Sequence, residues 1–282
     1  MGKIKIVIFL IASFLFSSIT FSQNYELSSP NELIKIVINS TDTLKYSLYY
    51  KDVLQIKPSS IGLNFVGGDN IGILPKLKKN KTGKVKQEIT PLYGNNKVIH
   101  DIFNYIKMDF HNGYVLEVRA YNSGVSLRFL TSFKENKKVL KDIFDVNFSG
   151  NYKLFVSHPF NNNFLNSYEE NYRVTKLNKL SDSLIMLPLL VESKNAKMVI
   201  TESDLYDYPA MYFIKAKKNN SLIAVQPKYP LLTTVGGHNN FNLIVEKRAD
   251  YIANISGKRS FPWKVIIVED DDKNLLSNDL VY

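Results

Sequence analysis

Apolar and polar residues alternate along much of this chain. The clearest runs are residues 44–49, 116–120 and 125–129, in which every second residue is apolar. Alternation of this kind places one face of a strand on a core and the other face in water. Tyrosine and phenylalanine, which both favour strands, number 17 each. The pattern therefore predicts a chain built mainly of half-buried β-strands.

Turn-forming sequences separate the predicted strands. Residues 122–124 (Asn-Ser-Gly) lie between two alternating runs and are typical of a hairpin loop, and glycine-rich breaks occur at 67–70 and 236–239. Many short strands with turns between them favour a sandwich or a barrel, whereas a doubly wound sheet requires strands that alternate with helices. We predict an all-β fold with one short helix within residues 270–280.

The N-terminal residues have the layout of a secretory signal peptide. Lys3 and Lys5 precede an apolar run at 6–16, and small or polar residues follow as far as Ser22. Because the run is shorter than the roughly 20 residues of a membrane span, we expect cleavage after Ser22 rather than an uncleaved anchor. The signal peptide is thus predicted at residues 1–22. Residues 23–282 remain as one large β domain in the periplasm or outside the cell.

Composition excludes several kinds of chemistry. The chain has no cysteine, which rules out disulfides, a thiol nucleophile and a lipid-anchored cysteine. The formal charge is +10, but the lysines are dispersed, so we expect no nucleic-acid partner. We interpret the lysine-rich residues 76–86 as a solvated loop, with binding of an anionic partner as the alternative. After signal removal we expect no membrane span.

Common catalytic signatures are missing from the sequence. The four histidines are scattered, and neither a phosphate-binding glycine loop nor a G-x-S-x-G elbow is present. The acidic residues 269–272 lack the glycine and the final glutamate of an EF-hand loop, so we interpret them as a helix cap or a turn.

One cluster has the residue types of a binding site. Within residues 168–173, two tyrosines flank Glu169 and Glu170, and Arg173 leads into a predicted strand. Carboxylate oxygens suit calcium, and tyrosine rings can stack on sugars. The alternative is an exposed strand start with an ordinary ion pair to Arg173.

A series of short segments, taken in chain order, is similar to one known family. They are Ser29-Pro30-Asn31, Ser60-Ile61-Gly62-Leu63, Tyr93-Gly94, Ile99-His100-Asp101, residues 119–125 (Arg-Ala-Tyr-Asn-Ser-Gly-Val), Tyr168-Glu169, residues 201–211 (Thr-Glu-Ser-Asp-Leu-Tyr-Asp-Tyr-Pro-Ala-Met), Pro262-Trp263-Lys264 and residues 275–280. In this order they resemble the N-terminal domain of glycoside hydrolase family 97. The sequence departs from the family pattern at Ser123, which replaces an acid, at Ala210, where glycine is frequent, and around 153–156, where a tryptophan is missing.

The resemblance implies a large β-sandwich of the galactose-mutarotase-like (super-sandwich) type, packed against a catalytic (β/α)8 barrel. It also implies cleavage of α-glucosidic or α-galactosidic bonds and calcium at the active site of the complete enzyme. One calcium ligand is then a glutamate of the N-terminal domain, which the Tyr-Glu motif matches to Glu169. The sequence ends at Tyr282, before the barrel that supplies the general acid, the general base and most calcium ligands.

We therefore expect a non-catalytic domain that flanks the carbohydrate-binding cleft of an exported α-glycosidase. The expected partners are α-linked glucose or galactose oligosaccharides and the catalytic barrel, with calcium bound only in a full-length enzyme. One alternative is an exported β-sandwich interaction module that binds a protein and is unrelated to sugars. Another is a small enzyme that uses Glu169 and Glu202.

Overall fold

A computed structural model of the protein describes residues 23–94, 96–164, 171–218 and 220–282. The predicted signal peptide, residues 1–22, lies outside these ranges, so cleavage after Ser22 and the domain boundary there stay predictions. Within the described ranges, no helix is long and apolar enough to cross a membrane.

Strands make up most of the described chain. The first ten, in chain order, are β1 (Asn24–Ser28), β2 (Ile34–Asn39), β3 (Lys45–Tyr50), β4 (Val53–Phe65), β5 (Leu77–Ile89), β6 (Ile99–Phe110), β7 (Tyr114–Tyr121), β8 (Gly124–Ser132), β9 (Lys137–Phe144) and β10 (Val146–Phe148). The next eleven are β11 (Lys153–Val156), β12 (Arg173–Lys176), β13 (Leu189–Glu192), β14 (Lys197–Ser203), β15 (Tyr212–Lys215), β16 (Ser221–Val225), β17 (Pro230–Gly236), β18 (Asn242–Arg248), β19 (Ala253–Ile255), β20 (Lys258–Ser260) and β21 (Trp263–Glu269). The helical elements are short 3-10 turns at Phe160–Asn162, Leu177–Lys179 and His238–Asn240, and the helix α1 (Asp272–Leu276).

Two large antiparallel sheets carry the fold. The first sheet has nine strands, ordered β1-β2-β3-β4-β10-β16-β15, with β9 paired to both β4 and β19. The second sheet has ten, ordered β12-β11-β13-β14-β21-β8-β7-β6-β5, with β20 paired to β8. Within the described ranges, strands β17 and β18 pair with each other and with neither large sheet, and together they form a hairpin. The all-β sandwich predicted from the sequence is confirmed.

The core lies between the two large sheets and follows the alternation of the sequence. From the first sheet, Ile34, Ile36 and Ile38 of β2 are fully buried in it. Leu116 and Val118 of β7 join the same cluster from the second sheet. Burial of one such side chain stabilises the fold by roughly 1.5–3 kcal/mol relative to an exposed position. The apolar positions of the period-two pattern thus form the contact between the two sheets.

Strand β21 is buried on both of its faces. Ile266 and Val268 belong to the core between the sheets. On the other side, Trp263, Val265 and Ile267 pack against Leu275, Leu280 and Val281 of the C-terminal segment. A central strand covered on both faces accounts for the nearly continuous apolar run at 265–268.

Two glycines of the family-like segments are required by close backbone packing. A side chain at Gly62 would occupy the space of the Ile71 carbonyl oxygen. Ile71 forms a β-bridge with Leu63, the residue that follows Gly62. A Cβ at Gly124 would lie 2.5 Å from the Ile266 carbonyl oxygen and 2.7 Å from Leu280. Gly124 also pairs with Tyr121 to close the two-residue turn between β7 and β8, which confirms the predicted hairpin loop.

The lysine-rich residues 76–86 were predicted as a loop, and this prediction is wrong. They lie mostly in β5, an edge strand of the second sheet that is largely exposed. Lysine side chains on an edge strand discourage pairing with another chain, which gives this composition a structural reason. The predicted short helix is confirmed as α1, whose first turn is capped by the Asp271 side chain through a bond from the Lys273 amide.

Candidate metal and carbohydrate site

The segment that carries Glu169 falls outside the described ranges. Residues 165–170 include both Glu169 and Glu170, so the assignment of a calcium ligand stays a prediction. The flanking residues are described. Phe164 meets Tyr212 edge to face, with ring centroids 5.0 Å apart, and Tyr172 lines a cavity together with residues of the loop between β14 and β15. The described residues on the two sides of the segment, Phe164 and Tyr172, therefore lie near this loop and the β15 residue that follows it.

This cavity has the character of a shallow binding site. Its volume is about 400 Å³ and its walls are mostly apolar. Polar atoms come from a few side chains, including Thr201 and Glu202. Tyr172 is exposed at its rim, and an exposed tyrosine offers both an apolar ring and a hydroxyl. The principal lining residues are Ser157, Tyr172, Met186, Glu202, Leu205 and Met211.

A buried ionic network lies beneath the cavity wall. Lys264 Nζ is 3.0 Å from Asp142 Oδ2 and 2.6 Å from Glu202 Oε1, and the three side chains are only 5–7% exposed. Burial raises the pKa of Asp142, an effect that Lys264 only partly offsets. Burial alone would lower the pKa of Lys264, but the two carboxylates outweigh it and hold that pKa above its usual value. The ammonium group thus stays charged and links the first sheet to the second.

The network also fixes the loop between β14 and β15. Glu202 Oε2 accepts a hydrogen bond of 2.7 Å from the Met211 amide, while its other oxygen binds Lys264. Tyr208 meets Phe261 edge to face at 5.4 Å, and burial, followed by the charge of Asp142, raises the pKa of its hydroxyl well above the usual value. Both oxygens of Glu202 are therefore engaged, which gives this residue a positioning role in the structure.

The outer face of the second sheet carries a separate charged cluster centred on Glu117. Its Oε1 lies 3.2 Å from Lys107 Nζ and 3.3 Å from Arg119 Nη2, and its Oε2 lies 3.2 Å from Arg128 Nε. The guanidinium carbons of Arg128 and Arg119 lie 4.1 Å and 4.5 Å from the centre of the Trp263 ring. Stacking and ion pairing together hold these cations in place.

Glu117 is held in its charged form by this arrangement. Burial alone would raise the pKa of its carboxyl, but the charges of Arg119, Arg128 and Lys107 outweigh burial and lower the pKa. The alternation at 116–120 predicts that this face of β7 meets water. That prediction is wrong for Glu117, which is only 1% exposed.

Replacement of Glu117 by glutamine should lower the free energy of unfolding by about 3 kcal/mol at pH 7, because three cations lose a buried counter-ion. The folded-state pKa is depressed, so the stabilisation is complete above the usual carboxyl pKa and is lost as pH falls through the folded value. The difference between wild type and variant should therefore shrink below about pH 4.

Urea unfolding at pH 7 and at about pH 3.5 measures this difference. The matched control is Glu88→Gln, because Glu88 is exposed and its Oε1 lies 3.4 Å from Nδ1 of the equally exposed His100. We expect this variant to change the free energy of unfolding by less than about 0.5 kcal/mol. If Glu117→Gln lowered the free energy of unfolding equally at both pH values, the ion-pair explanation would be contradicted.

A second cavity, of about 540 Å³, adjoins the charged cluster on the outer face of the second sheet. Several family-like segments converge on it and contribute Asp101, Arg119, Tyr121, Ser203, Trp263 and Leu280 to its lining. The C-terminal residues cover part of it. The hydroxyl of Ser203 donates a 2.8 Å hydrogen bond to the Val281 carbonyl, and Tyr93 meets Tyr282 edge to face at 5.8 Å. These segments thus hold the C-terminal segment against the sheet.

The acidic and histidine side chains of the described residues are not clustered. Among them, no group of three or more His, Cys, Asp or Glu side chains is placed to hold a metal ion, whereas calcium takes six to eight oxygen ligands. The acidic residues 270–272 are engaged elsewhere. Asp270 pairs with Lys51 at 2.5 Å, Asp271 caps α1 and Asp272 pairs with Lys197, which supports the prediction of a helix cap.

Sequence reasoning missed both ionic clusters. The available signal was a lysine inside an apolar strand, since Lys264 lies between Trp263 and Val265. A charge at such a position needs a buried partner. The identity of that partner was not visible, because Asp142 lies on a different sheet and far away in the sequence.

Known proteins share both the sequence pattern and the fold. Residues 27–282 match the glycosyl-hydrolase 97 N-terminal family. A retaining α-galactosidase of Bacteroides thetaiotaomicron is 30% identical over 274 residues, which cover 94% of this chain and 41% of that protein. A glycoside hydrolase family 97 enzyme from Pseudoalteromonas sp. strain K8, solved with acarbose, superposes with a TM-score of 0.76 at 20% identity, over 91% of this chain and 37% of its own. A β-arabinopyranosidase superposes with a TM-score of 0.72 at 15% identity, over 88% of this chain and 40% of its own.

The family match extends over nearly all of the described chain. The two solved structures confirm the fold, and the chain spans about two fifths of the length of the proteins that it matches. Together with the segments that converge on the C-terminal residues, these similarities show that the chain belongs to the N-terminal domain family of glycoside hydrolase family 97.

Proposed function

We propose that this chain serves as the non-catalytic N-terminal domain of an exported family 97 α-glycosidase. In that role it flanks the carbohydrate-binding cleft and donates Glu169 to a calcium ion. The observation that supports the proposal best is the family match over residues 27–282, taken with a matched relative of which the chain covers only 41%. The remaining length of such a relative has room for a catalytic barrel.

The substrate class follows from the relatives. One is named a retaining α-galactosidase, and another was solved with acarbose. We therefore propose α-linked galactose or glucose oligosaccharides as the ligands of the complete enzyme. The cavity beside Tyr172 supports this role, because Tyr172 follows the segment that carries Glu169 by two residues and is an exposed tyrosine in the cavity lining. The alternative of an interaction module unrelated to sugars finds no support in these similarities.

A non-catalytic role fits the carboxylates of the described chain. Glycoside hydrolysis uses two carboxyl groups that flank the scissile bond, one of which must be free to protonate the leaving group. Glu202 is engaged through both oxygens, and Glu117 is covered by three cations. Neither has the open access that such a reaction needs. These two buried glutamates are thus unsuited to that reaction, and we propose that the catalytic pair belongs to the remainder of an intact enzyme.

The isolated chain should neither hydrolyse aryl α-glycosides nor bind calcium tightly. With one or two carboxylates available, most of the ligands would be water, so we expect an affinity no tighter than about millimolar. Isothermal titration and a chromogenic assay with and without calcium measure both properties, with the B. thetaiotaomicron enzyme as the positive control. Micromolar calcium binding, or turnover that disappears in Glu169→Gln, would contradict the proposed role.

Export is the second part of the proposal, and it depends on the basic start and the apolar run of residues 1–22. In a Gram-negative host the mature protein should begin at Gln23, within a few residues, and should be recovered from the periplasm or the medium. Mass spectrometry of the recovered protein determines its N-terminus. An intact Met1 in that fraction would contradict cleavage.

A further inference from the structure

The cavity of about 540 Å³ on the outer face of the second sheet has no part in the proposed function; it is called the outer cavity below. Three neighbouring strands form its floor. Arg119 of β7 lies directly opposite Ser126 of β8, which lies opposite Val265 of β21, and directly opposite residues share a face of a sheet. The connection between β5 and β6 and the C-terminal residues form the walls, with Val98 and Leu280 among the lining residues. Its volume is in the range of small-molecule sites, roughly 300–1,000 Å³.

A buried carboxylate with spare acceptor capacity lines the outer cavity. Asp101 of β6 is only 8% exposed and belongs to the lining. Its Oδ2 accepts a hydrogen bond of 2.7 Å from the Gln87 side chain, and among the described residues it takes part in no ion pair. An ionised carboxylate has about four acceptor positions. Most of the hydrogen-bonding capacity of Asp101 is therefore not used by its described neighbours.

Hydroxyl and guanidinium donors lie beside this acceptor. Arg119 Nη1 lies 3.4 Å from the Tyr121 hydroxyl, and both residues line the outer cavity together with Ser126. Burial raises the pKa of the Tyr121 hydroxyl, so the hydroxyl keeps its proton at neutral pH. Tyrosine and serine hydroxyls both donate and accept hydrogen bonds. The floor thus offers donors and acceptors next to one another.

The charges of the lining favour a neutral ligand. Its acidic residues are Asp101 and Asp279, and its one arginine is Arg119, which is already paired with Glu117 at 3.3 Å. A phosphate or a carboxylate in the outer cavity would be repelled by the two acids. A cation would be repelled by Arg119. A neutral ligand with several hydroxyl groups meets neither objection.

An apolar wall adjoins the polar floor. Trp263 and Val265 pack against Leu280, and all three line the outer cavity. Small-molecule sites typically combine apolar walls with a few convergent polar groups. A sugar ring carries hydroxyl groups around its rim and C–H groups on its faces, so it requires polar partners and an apolar surface side by side. The outer cavity provides this combination.

We propose that the outer cavity is a carbohydrate site of this domain itself, which binds a neutral mono- or disaccharide through Asp101, Arg119 and Tyr121. Its lining residues do not include those of the cavity beside Tyr172, and the binding requires neither calcium nor Glu169. Only the choice of galactose or glucose as the sugar rests on the proposed function.

Titration of residues 23–282 with methyl α-galactoside and methyl α-glucoside in calcium-free buffer tests the site. Trp263 lines the outer cavity and is the only tryptophan of the chain, so its fluorescence should change as sugar binds, and calorimetry gives the Kd. We expect saturable binding with a Kd of about 1 mM for at least one of the two sugars. Methyl α-galacturonoside should bind at least about fivefold more weakly than the galactoside, because its carboxylate meets Asp101 and Asp279.

Variants of the floor locate the sugar. Asp101→Asn should weaken binding by about tenfold or more, and Tyr121→Phe by about threefold or more, because each removes a hydrogen-bonding function. Asparagine can still accept the bond from Gln87, so the thermal midpoint should move by less than about 2 °C. The matched control is Asp109→Asn, on the same strand but outside the lining. This control and Glu169→Gln should each leave the Kd unchanged within about twofold.

Four results would overturn the proposal. The first is a lack of saturable binding of both neutral sugars up to about 50 mM, far above the expected Kd. The second is an unchanged Kd in both Asp101→Asn and Tyr121→Phe, which would place the sugar elsewhere. The third is binding that requires calcium or is lost in Glu169→Gln, and the fourth is tighter binding of the galacturonoside. Calcium titrations that test Glu169 do not depend on this cavity, so a lack of sugar binding would reject the outer cavity and leave the metal role standing.

Discussion

Replacement of Lys264 by methionine is expected to lower the free energy of unfolding by about 3–5 kcal/mol at pH 8. The substitution leaves Asp142 and Glu202 buried without a cation, and removing one partner of a buried ion pair has effects of this size. Methionine has a similar length, so the loss reflects charge rather than a cavity. Urea unfolding followed by tryptophan fluorescence measures it, through the single tryptophan next to Lys264.

The loss of unfolding free energy in Lys264→Met should depend on pH in a defined direction. Burial already raises the pKa of Asp142, and without Lys264 it rises further, so a carboxyl of the variant takes up a proton as pH falls. A neutral buried carboxyl costs less than a charged one. The deficit of Lys264→Met relative to wild type should therefore be largest near pH 8 and smaller near pH 5.

Two comparison variants separate the network from general effects. Lys51→Met removes a lysine from an ion pair whose partners are both about half exposed, and we expect a change below about 1 kcal/mol. Neutralising the whole cluster with Asp142→Asn, Glu202→Gln and Lys264→Met should recover much of the lost stability. A loss below about 1 kcal/mol for Lys264→Met alone would contradict the account of the network.

Strands were predictable wherever the pattern is local. The alternation at 116–120 and 125–129 correctly predicts β7 and β8, because a period of two is visible within five residues. The turn at 122–124 follows from the same kind of local signal. The loop prediction for the lysine-rich residues 76–86 was wrong because it was based on charge, and lysine side chains are also typical of exposed edge strands.

Contacts between distant strands were not predictable. The alternation of its neighbours predicts that Glu117 faces water, yet Lys107 and Arg128 pair with it from two other strands. Arg128 in turn stacks on Trp263 of a third strand. Lys264 finds Asp142 only when the two sheets meet. Pairing of this kind depends on sheet topology, and a single sequence does not specify which strands become neighbours.

The candidate calcium ligand is predicted from the motif alone. Glu169 is one of two adjacent glutamates, and local chemistry does not distinguish it from Glu170. The structure describes the residues on both sides of the segment. Phe164, before it, meets Tyr212 at the end of the loop that Glu202 holds, and Tyr172, after it, lines the cavity beside that loop.

In a chimera that joins residues 23–282 of this chain to the portion of the B. thetaiotaomicron α-galactosidase beyond the match, Glu169→Gln should weaken calcium binding by about 10- to 100-fold or more. Loss of a residue that only supports a metal ligand already has an effect of this size, and a direct carboxylate ligand contributes both charge and an oxygen to a hard cation. Glutamine keeps the shape of the side chain, so folding and domain contact should be preserved. Turnover of an aryl α-galactoside should then require correspondingly more calcium.

Isothermal titration of calcium into the chimera tests the central claim most directly, with Glu170→Gln as the matched control. The account predicts a loss of at least about 10-fold in affinity for Glu169→Gln and a change below about threefold for Glu170→Gln, a neighbour with the same charge and length. Unchanged calcium affinity in Glu169→Gln, measured on a folded and active chimera, would contradict the claim that this domain lends a ligand to the active-site metal.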